Sequence, residues 1–146
     1  DFANDSEDRK SVSGYITKIN GNTISWLSKK QNIVTLSSCE AEYVSLTTCA
    51  CECLFISQLL KEIIDEDVQI EIFEDNQSAI KVASTLETKR SKHIDVKFHF
   101  VRDYVSSGKI VLNYIESKEQ IADAMTKSLP ISSFEKLRSK MNVVSE

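Results

Sequence analysis

Val68-Gln69-Ile70-Glu71-Ile72-Phe73-Glu74-Asp75-Asn76-Gln77-Ser78-Ala79-Ile80 changes structural period in the middle of a short stretch. Val68, Ile70 and Ile72 alternate with Gln69 and Glu71, which is the period of a strand, and the bulkier Phe73 closes it. Glu74-Asp75-Asn76 ends the alternation, and a short helix is predicted from about Gln77 to Ser84. A strand that ends on acid and passes directly into a helix is a joint of α/β architecture. Ligands of open α/β sheets collect at such carboxyl ends. Asp75 is therefore a candidate functional residue.

Toward the N-terminus, Val12–Leu36 reads as an antiparallel meander, either three short strands or two long ones. Asn20-Gly21 is a strong hairpin signal because both residues tolerate positive φ. Ile33–Leu36 is the expected third strand. Ser37 then opens a helix reaching about Asp65, and Ser37 with Glu40 has the spacing of a capping box. Val44, Cys51, Phe55, Leu59 and Ile63, with Ala41 and Thr48, make a stripe at helical spacing and are the expected inward face.

Toward the C-terminus, a helix is predicted from about Asp95 to Ser106, stopped by Gly108. Lys109–Ile115 is the last strand and Ser117–Thr126 a short helix. Pro130 precedes a final amphipathic helix within 131–142. Strands that alternate with helices imply an α/β mixed sheet with crossover connections. No internal repeat or long linker divides the chain, so residues 1–146 read as a single domain. Trp26, Phe98 and Phe100 are expected in its core.

Composition bounds the function. Hydrophobic residues make up 41% and charged residues 27%, with three Gly and one Pro, which is globular and not low-complexity. No apolar run in the sequence approaches the ~20 residues of a membrane span, and the polar, acidic start has no signal peptide. The chain has no initiator Met and reads as a processed piece of something longer. An intracellular, non-secreted location is expected. Net charge is −4, so no global positive field draws nucleic acid, although Lys89, Arg90, Lys92 and Lys97 are grouped. The four cysteines, Cys39, Cys49, Cys51 and Cys53, are too crowded for a disulfide framework. On a helix Cys49 and Cys53 share a face and Cys51 does not, and both histidines are far downstream, so zinc is not expected.

Three of the 22 acidic residues are placed suggestively. Glu40 sits in the first turn of the long helix, Asp75 at a strand-to-helix joint, and Asp123 on the short helix after the last strand. Each also has a structural explanation: half of a capping box, an N-cap, an exposed helix position. Spacing alone leaves a soluble α/β domain.

Longer blocks carry more. DRKSVSGY (Asp8–Tyr15) resembles DRKSTSGY, and ISWLSKKQNIVTLSSCEAEYVSL (Ile24–Leu46) resembles ISW-S-KKQ followed by SSTEAEYVAL. EDNQSAI (Glu74–Ile80) matches an acidic-Asp-Asn-Gln segment, and SKHIDVKFHFVRDYV (Ser91–Val105) resembles TKHIDIKYHFIRE. EQIADAMTKSLP (Glu119–Pro130) resembles EQLADIFTKPLP and is followed by FEKLRSKM. These six collinear blocks resemble the ribonuclease H domain of copia-type retrotransposon Pol polyproteins over nearly the whole chain. Cys39, Asn4, Phe2 and Ser128 depart from the family's Thr, Gly, Trp and Pro, and none of the four removes a carboxylate.

That resemblance implies a ribonuclease-H-like mixed sheet flanked by helices, and hydrolysis of the RNA strand of RNA–DNA hybrids beside a reverse transcriptase domain of the same polyprotein. It places metal ligands on Glu40, Asp75 and Asp123. The family's first ligand lies on a central strand of the form Y-S-D-A-D-W-A-G, of which Asp1-Phe2-Ala3 matches only the end. The strand and its ligand would thus precede this chain; the alternative puts Asp1 itself in the ligand role. The isolated chain is then expected to be weak or inactive, and about fifteen upstream residues to restore it. The implied cofactor is Mg2+, with Mn2+ as a substitute, because hard cations take carboxylate oxygens and a pair of them can activate water and stabilise a leaving oxygen. Asn76, Gln77, Lys89, Arg90, Lys92 and His93 are the candidate contacts to the hybrid's sugars and phosphates. Two other readings compete: a fragment that keeps the fold or a binding role without catalysis, and a related phosphotransferase such as an integrase, which the order of the acidic blocks disfavours.

Overall fold

A computed structural model describes residues 2, 3, 5, 7–85 and 95–143, and only the backbone of 95–98. Strands β1 (Val12–Ile19) and β2 (Asn22–Lys30) form an antiparallel hairpin with Ile19 opposite Asn22. Asn20 and Gly21 turn it at φ 49 and 81, the paired positive angles that a tight two-residue loop requires. Ser13, Tyr15 and Thr17 alternate inward from β1. Ser25, opposite Thr17, donates its hydroxyl to Glu52 at 2.7 Å, so this is the face the long helix covers. Trp26 stands opposite Ile16 on the other face and is 65% exposed, so it is not a core residue.

The expected third strand is absent. Side chains take over its role: Gln31, buried, donates to Ser13 Oγ and to the Ala41 carbonyl, and the Thr35 and Ser11 hydroxyls meet at 3.2 Å. These anchors pull residues 31–37 off the hairpin and into the helix start, leaving Ile33, Val34 and Leu36 exposed. The meander is two long strands.

Helix α1 (Ser38–Ile64) begins on the predicted cap, with Ser37 Oγ accepting from the Glu40 N–H. It ends at Asp65, which adopts φ 55 and donates its N–H to the Lys61 carbonyl. Its inward face differs from the expected stripe. Ala41 of that stripe is buried, with Tyr43, Leu46 and Ala50, whereas Cys51, Phe55, Leu59 and Ile63 are exposed. The helix carries apolar residues on most of its circumference, so periodicity alone selects the wrong seam. By length and composition α1 is long and apolar enough to cross a membrane, contrary to the expectation from the sequence. Core packing of Tyr43, Leu46 and Ala50 accounts for part of that apolarity, while Phe55, Leu59, Ile63 and Ile64 are exposed.

Strands β3 (Ile70–Glu74) and β4 (Ile110–Tyr114) pair in parallel, linked through α2 (Gln77–Ser84) and α3 (Asp95–Ser106). The core joins α1 to this half: Tyr43, Leu46 and Ala50 pack with Ile70, Ile72, Ala83, Val101 and Ile110. Each buried large aliphatic contributes roughly 1.5–3 kcal/mol. Phe100 packs against this cluster, and the Phe98 side chain lies outside the described residues.

Past β4 the expected helix is instead two 3-10 turns, Ser117–Glu119 and Ile121–Met125, divided at Gln120. Helix α4 (Ile131–Lys140) buries Leu137 and is followed by the buried Met141. Hairpin and C-terminus clasp each other: Thr23 donates to the Met141 carbonyl, Lys18 to that of Lys140, and Asn142 to that of Gly21. Glu119 pairs with both Lys136 and Lys140, which hold its carboxyl down at about 2.

The chain is thus mixed α/β, as expected, but its strands lie in two separate two-stranded sheets, β1–β2 and β3–β4. Among the described residues no strand joins the free edge of β1 to that of β3.

Candidate metal centre

The strand-to-helix joint places the acids. In β3, Ile70, Ile72 and Glu74 share the buried side. Glu74 therefore enters the interior by the same alternation that buries the two isoleucines. One of its oxygens accepts the Asn76 N–H at 3.0 Å. Asn76, not Asp75, is the N-cap of α2, its side chain accepting from the Ala79 N–H at 3.0 Å. Capping is thereby taken from Asp75, whose carboxylate stays available. Gln77 is exposed in the first turn of α2.

Glu42 comes from α1. Residues two apart on a helix are rotated by about 200° and face opposite ways. Glu40 folds back over the helix start, where its carboxylate accepts the Leu36 N–H at 2.8 Å. Glu42 turns the other way, toward β3. One carboxylate oxygen from each of Glu42, Glu74 and Asp75 falls within 4.8 Å of the others. These three, with Asp123, line one cleft of about 710 Å3 between β1 and β3, and Glu40 does not. Asp123, on the turn Ile121–Met125, is held by Lys127 at 2.8 Å.

Of the residues expected from the sequence, then, Asp75 and Asp123 share the cleft. Glu40 stands apart as a helix cap, and Asn76 is committed to capping α2. Asp1, Lys89, Arg90, Lys92 and His93 lie outside the described residues. Sequence reasoning missed Glu42 and Glu74. Both carried a signal: Glu74 continues the inward series Ile70, Ile72, and Glu42 precedes Leu46 and Cys49 on the inner helical face.

Electrostatically the cluster is short of positive charge. Burial, then the negative charges of Glu42, Asp75 and Asp123, push the Glu74 carboxyl up to about 8, against the Asn76 N–H that favours its anion. Burial chiefly, with the charges of Asp75 and Asp123, also raises Glu42. A group of acids that resists full ionisation binds either a proton or a cation. Oxygen-only donors suit Mg2+ or Mn2+. Around one octahedral Mg2+, opposite ligands are about 4.2 Å apart and neighbouring ones about 3 Å, so the three carboxylates would draw together to hold a single ion. Cys49 and Cys53, whose sulfurs are 4.0 Å apart, line the same cleft farther along α1.

Comparison with known proteins gives the setting. The chain is 36% identical over 136 residues to a retrovirus-related Pol polyprotein from tobacco transposon TNT 1-94, covering 92% of this chain and 10% of the relative. It is 37% identical over 145 residues to the Pol polyprotein of Arabidopsis thaliana transposon RE1, covering 98% and 10%. A truncated Ty1-A Gag-Pol polyprotein of Saccharomyces cerevisiae is 34% identical over 133 residues, covering 90% and 11%. Its homologues are retrotransposon Pol polyproteins of the copia/Ty1 type. The chain spans about a tenth of the length of these Pol polyproteins. No family model matches it, and no solved structure matches it.

Proposed function

We propose that the chain is the ribonuclease H domain of a retrotransposon Pol polyprotein and hydrolyses the RNA strand of RNA–DNA hybrids in concert with the polyprotein's reverse transcriptase. The observation that carries this reading is the meeting of Glu42, Glu74 and Asp75 within 4.8 Å, in one cleft with Asp123. Collinear likeness to Pol polyproteins along nearly the whole chain supports the setting.

In this reading Glu42, Asp75 and Asp123 hold divalent cations, Mg2+ or Mn2+, and Glu42 takes the role that the family resemblance assigns to Glu40. Bound cations supply activation of a water and stabilisation of the leaving oxygen. The protein's own residues set the geometry. Asn76 fixes the joint from which Asp75 projects. Lys127 steadies Asp123 and gives it up on loading. The raised Glu74 keeps one proton in the cluster, lowering its repulsion until cations arrive. Gln77 and the basic segment Lys89, Arg90, Lys92 and His93 are assigned to the hybrid's backbone and 2′-hydroxyls.

A second reading, a folded segment without catalysis, is favoured by the open edges of β1 and β3, which leave the acid cluster at the mouth of an incomplete sheet. One assay separates the two. A labelled RNA–DNA hybrid is incubated with Mg2+ and the chain extended upstream in its reading frame by about fifteen residues, beside its Asp75→Asn variant. Cleavage by the first and not by the second is expected. Equal rates would sink the catalytic reading.

A further inference from the structure

A second set of ligand-type side chains lines the acidic cleft and takes no part in the proposed chemistry. Leu46, Cys49, Cys53, Ile56 and Leu60 follow one another at helical spacing along the face of α1 that borders it. Cys49 and Cys53, one turn apart, bring their sulfurs to 4.0 Å and share a hydrogen bond. Both are half-buried and pack against the core cluster, whereas Cys51 is exposed. The shared bond, then burial, raise the Cys49 thiol, and the same bond lowers Cys53 against the opposing effect of burial. Cys49 thus keeps a proton that it offers to the Cys53 sulfur.

Two thiols so placed can close into a disulfide or clamp an ion, and the helix favours the ion. Residues four apart on a helix hold their Cβ atoms about 5–6 Å apart, whereas a disulfide needs about 3.5–4.5 Å. Joining the sulfurs would unwind α1 beside the buried Leu46 and Ala50. A bridging ion asks for less: two metal–sulfur bonds of about 2.3 Å span ~4.6 Å in a line, so sulfurs now 4.0 Å apart need part by only about 0.6 Å. Ligand count then selects the ion. Among the described residues no third Cys, His or carboxylate joins the pair at ligand spacing. Glu52, beside Cys53 in the chain, is engaged by the Ser25 hydroxyl at 2.7 Å. Zn2+ takes four ligands and is poorly served by two. Cu(I) is soft, favours thiolates and is satisfied by two of them in a line. The apolar side chains of Leu46, Ile56 and Leu60 keep water from completing the shell of a harder ion.

We propose that Cys49 and Cys53 form a two-coordinate clamp for a soft monovalent cation, Cu(I), in the same cleft as the oxygen cluster of Glu42, Glu74 and Asp75. Binding exchanges two thiol protons for one ion. Both S–H bonds break, two S–Cu bonds form, the protons leave to solvent, and no electron is transferred. One cleft then sorts cations by hardness: oxygen donors at the end of β3 take Mg2+ or Mn2+, and sulfur donors farther along α1 take the soft ion. The clamp is independent of the proposed activity, since it uses neither the acids nor a nucleic acid.

Anaerobic titration of the chain with Cu(I), in competition with a chromogenic Cu(I) chelator, tests the clamp, and circular dichroism follows the fold on the same samples. The background carries Cys39→Ser and Cys51→Ser, so that only the pair remains. The expected result is one ion per folded chain. Adding Cys49→Ser or Cys53→Ser should weaken binding by ~100-fold or more, at least the upper range of what even supporting residues cost a metal site. A chain with Cys39→Ser and Cys49→Ser controls for unspecific thiol binding, because it keeps two thiols, Cys51 and Cys53, that face apart on the helix. It should bind as weakly as the single-thiol chains. No uptake by the background chain, or equal uptake by this control, would overturn the proposal. So would an affinity that is unchanged when the chain is unfolded in urea, since the clamp depends on the helix. Excess Mn2+ should leave the copper in place, and its displacement would assign the copper to the acids instead of the sulfurs.

Discussion

Glu42 and Glu74 bring carboxylate oxygens within 4.8 Å of each other, one from the second turn of a helix and the other from the last residue of a strand. Neither residue has a basic side chain against it among the ion pairs of the described residues, and after burial the charge of Glu42 helps to raise the Glu74 carboxyl's affinity for protons. Two acids placed so, with Asp75 beside them, are unfavourable for a protein without a cation and favourable for one that binds it. The tension sits at the joint between α1 and β3, where the core cluster of Tyr43, Leu46, Ile70 and Ile72 holds both elements in place.

Glu42 and Glu40 should therefore separate cleanly by mutation. In the extended chain, Glu42→Gln is expected to weaken Mn2+ binding by calorimetry, and hybrid cleavage with it, on the order of 100-fold. Glu40→Gln should leave both nearly unchanged and lower stability by about 1 kcal/mol, since it loses a charged bond at the helix start. The reverse pattern would return the ligand role to Glu40.

The Glu74 carboxyl sets a pH dependence whose sign is fixed. Its folded value is raised from 4.5 to about 8, so between those values the folded chain retains a proton that the unfolded chain has released. Stability without divalent cations must then fall as pH rises from about 4.5 to about 8 and level off beyond, by an amount on the order of a few kcal/mol. Glu42, also raised, adds in the same direction. Cation binding displaces that proton, so apparent affinity should climb over the same range. Urea unfolding at pH 5, 6, 7 and 8 checks it, with Glu74→Gln expected to flatten the slope. A metal-free stability that rises with pH would refute the assignment.

Much of this was legible in the sequence, and the failures have physical causes. The hairpin at Asn20-Gly21, the cap at Ser37, the strand ending on Glu74 and the helix from Gln77 follow from local rules, which depend on neighbours in the chain. Ile33–Leu36 failed because the buried Gln31 and Thr35 side chains outbid strand pairing, and no local propensity reports a long-range side-chain anchor. The seam of α1 failed because apolar residues surround it, and only the position of β1 and β3 decides that Leu46 is covered and Phe55 is not. Asp75 and Asp123, singled out because they follow sheet strands, line the same cleft. Glu40 was preferred to Glu42 because the family block contains both acids, and nothing in the spacing says which one the cap consumes.

The corrected seam gives a direct stability test. Leu46 is 2% exposed within the core cluster and Phe55 is 60% exposed on the same helix. Leu46→Ala should cost about 2–5 kcal/mol, through lost burial and the cavity left behind. Phe55→Ala should cost less than about 1 kcal/mol despite removing a larger side chain. Chemical denaturation of the two variants decides, and similar losses would mean that the outer stripe is covered in solution.

Gly14 couples the hairpin to the acidic cleft. A Cβ there would sit 2.6 Å from Thr126 Cγ2 and 2.8 Å from Met125 Cβ, closer than carbon atoms approach, with the Ala122 carbonyl at 3.3 Å. These contacts belong to the turn that carries Asp123, whose own carbonyl accepts the Thr126 N–H at 3.1 Å. Gly14→Ala must push that turn away from β1. The expected cost is about 1–3 kcal/mol of stability, as for other overpacked sites. Mn2+ affinity should fall as well, because Asp123 moves with the turn. Thr126→Ser removes the methyl that makes the shortest contact. The double variant Gly14→Ala/Thr126→Ser should therefore recover part of both losses, whereas Thr126→Ser alone should change metal affinity little. If Gly14→Ala lowers stability but leaves Mn2+ binding intact, Asp123 does not take part in holding the cation, and the centre reduces to Glu42, Glu74 and Asp75.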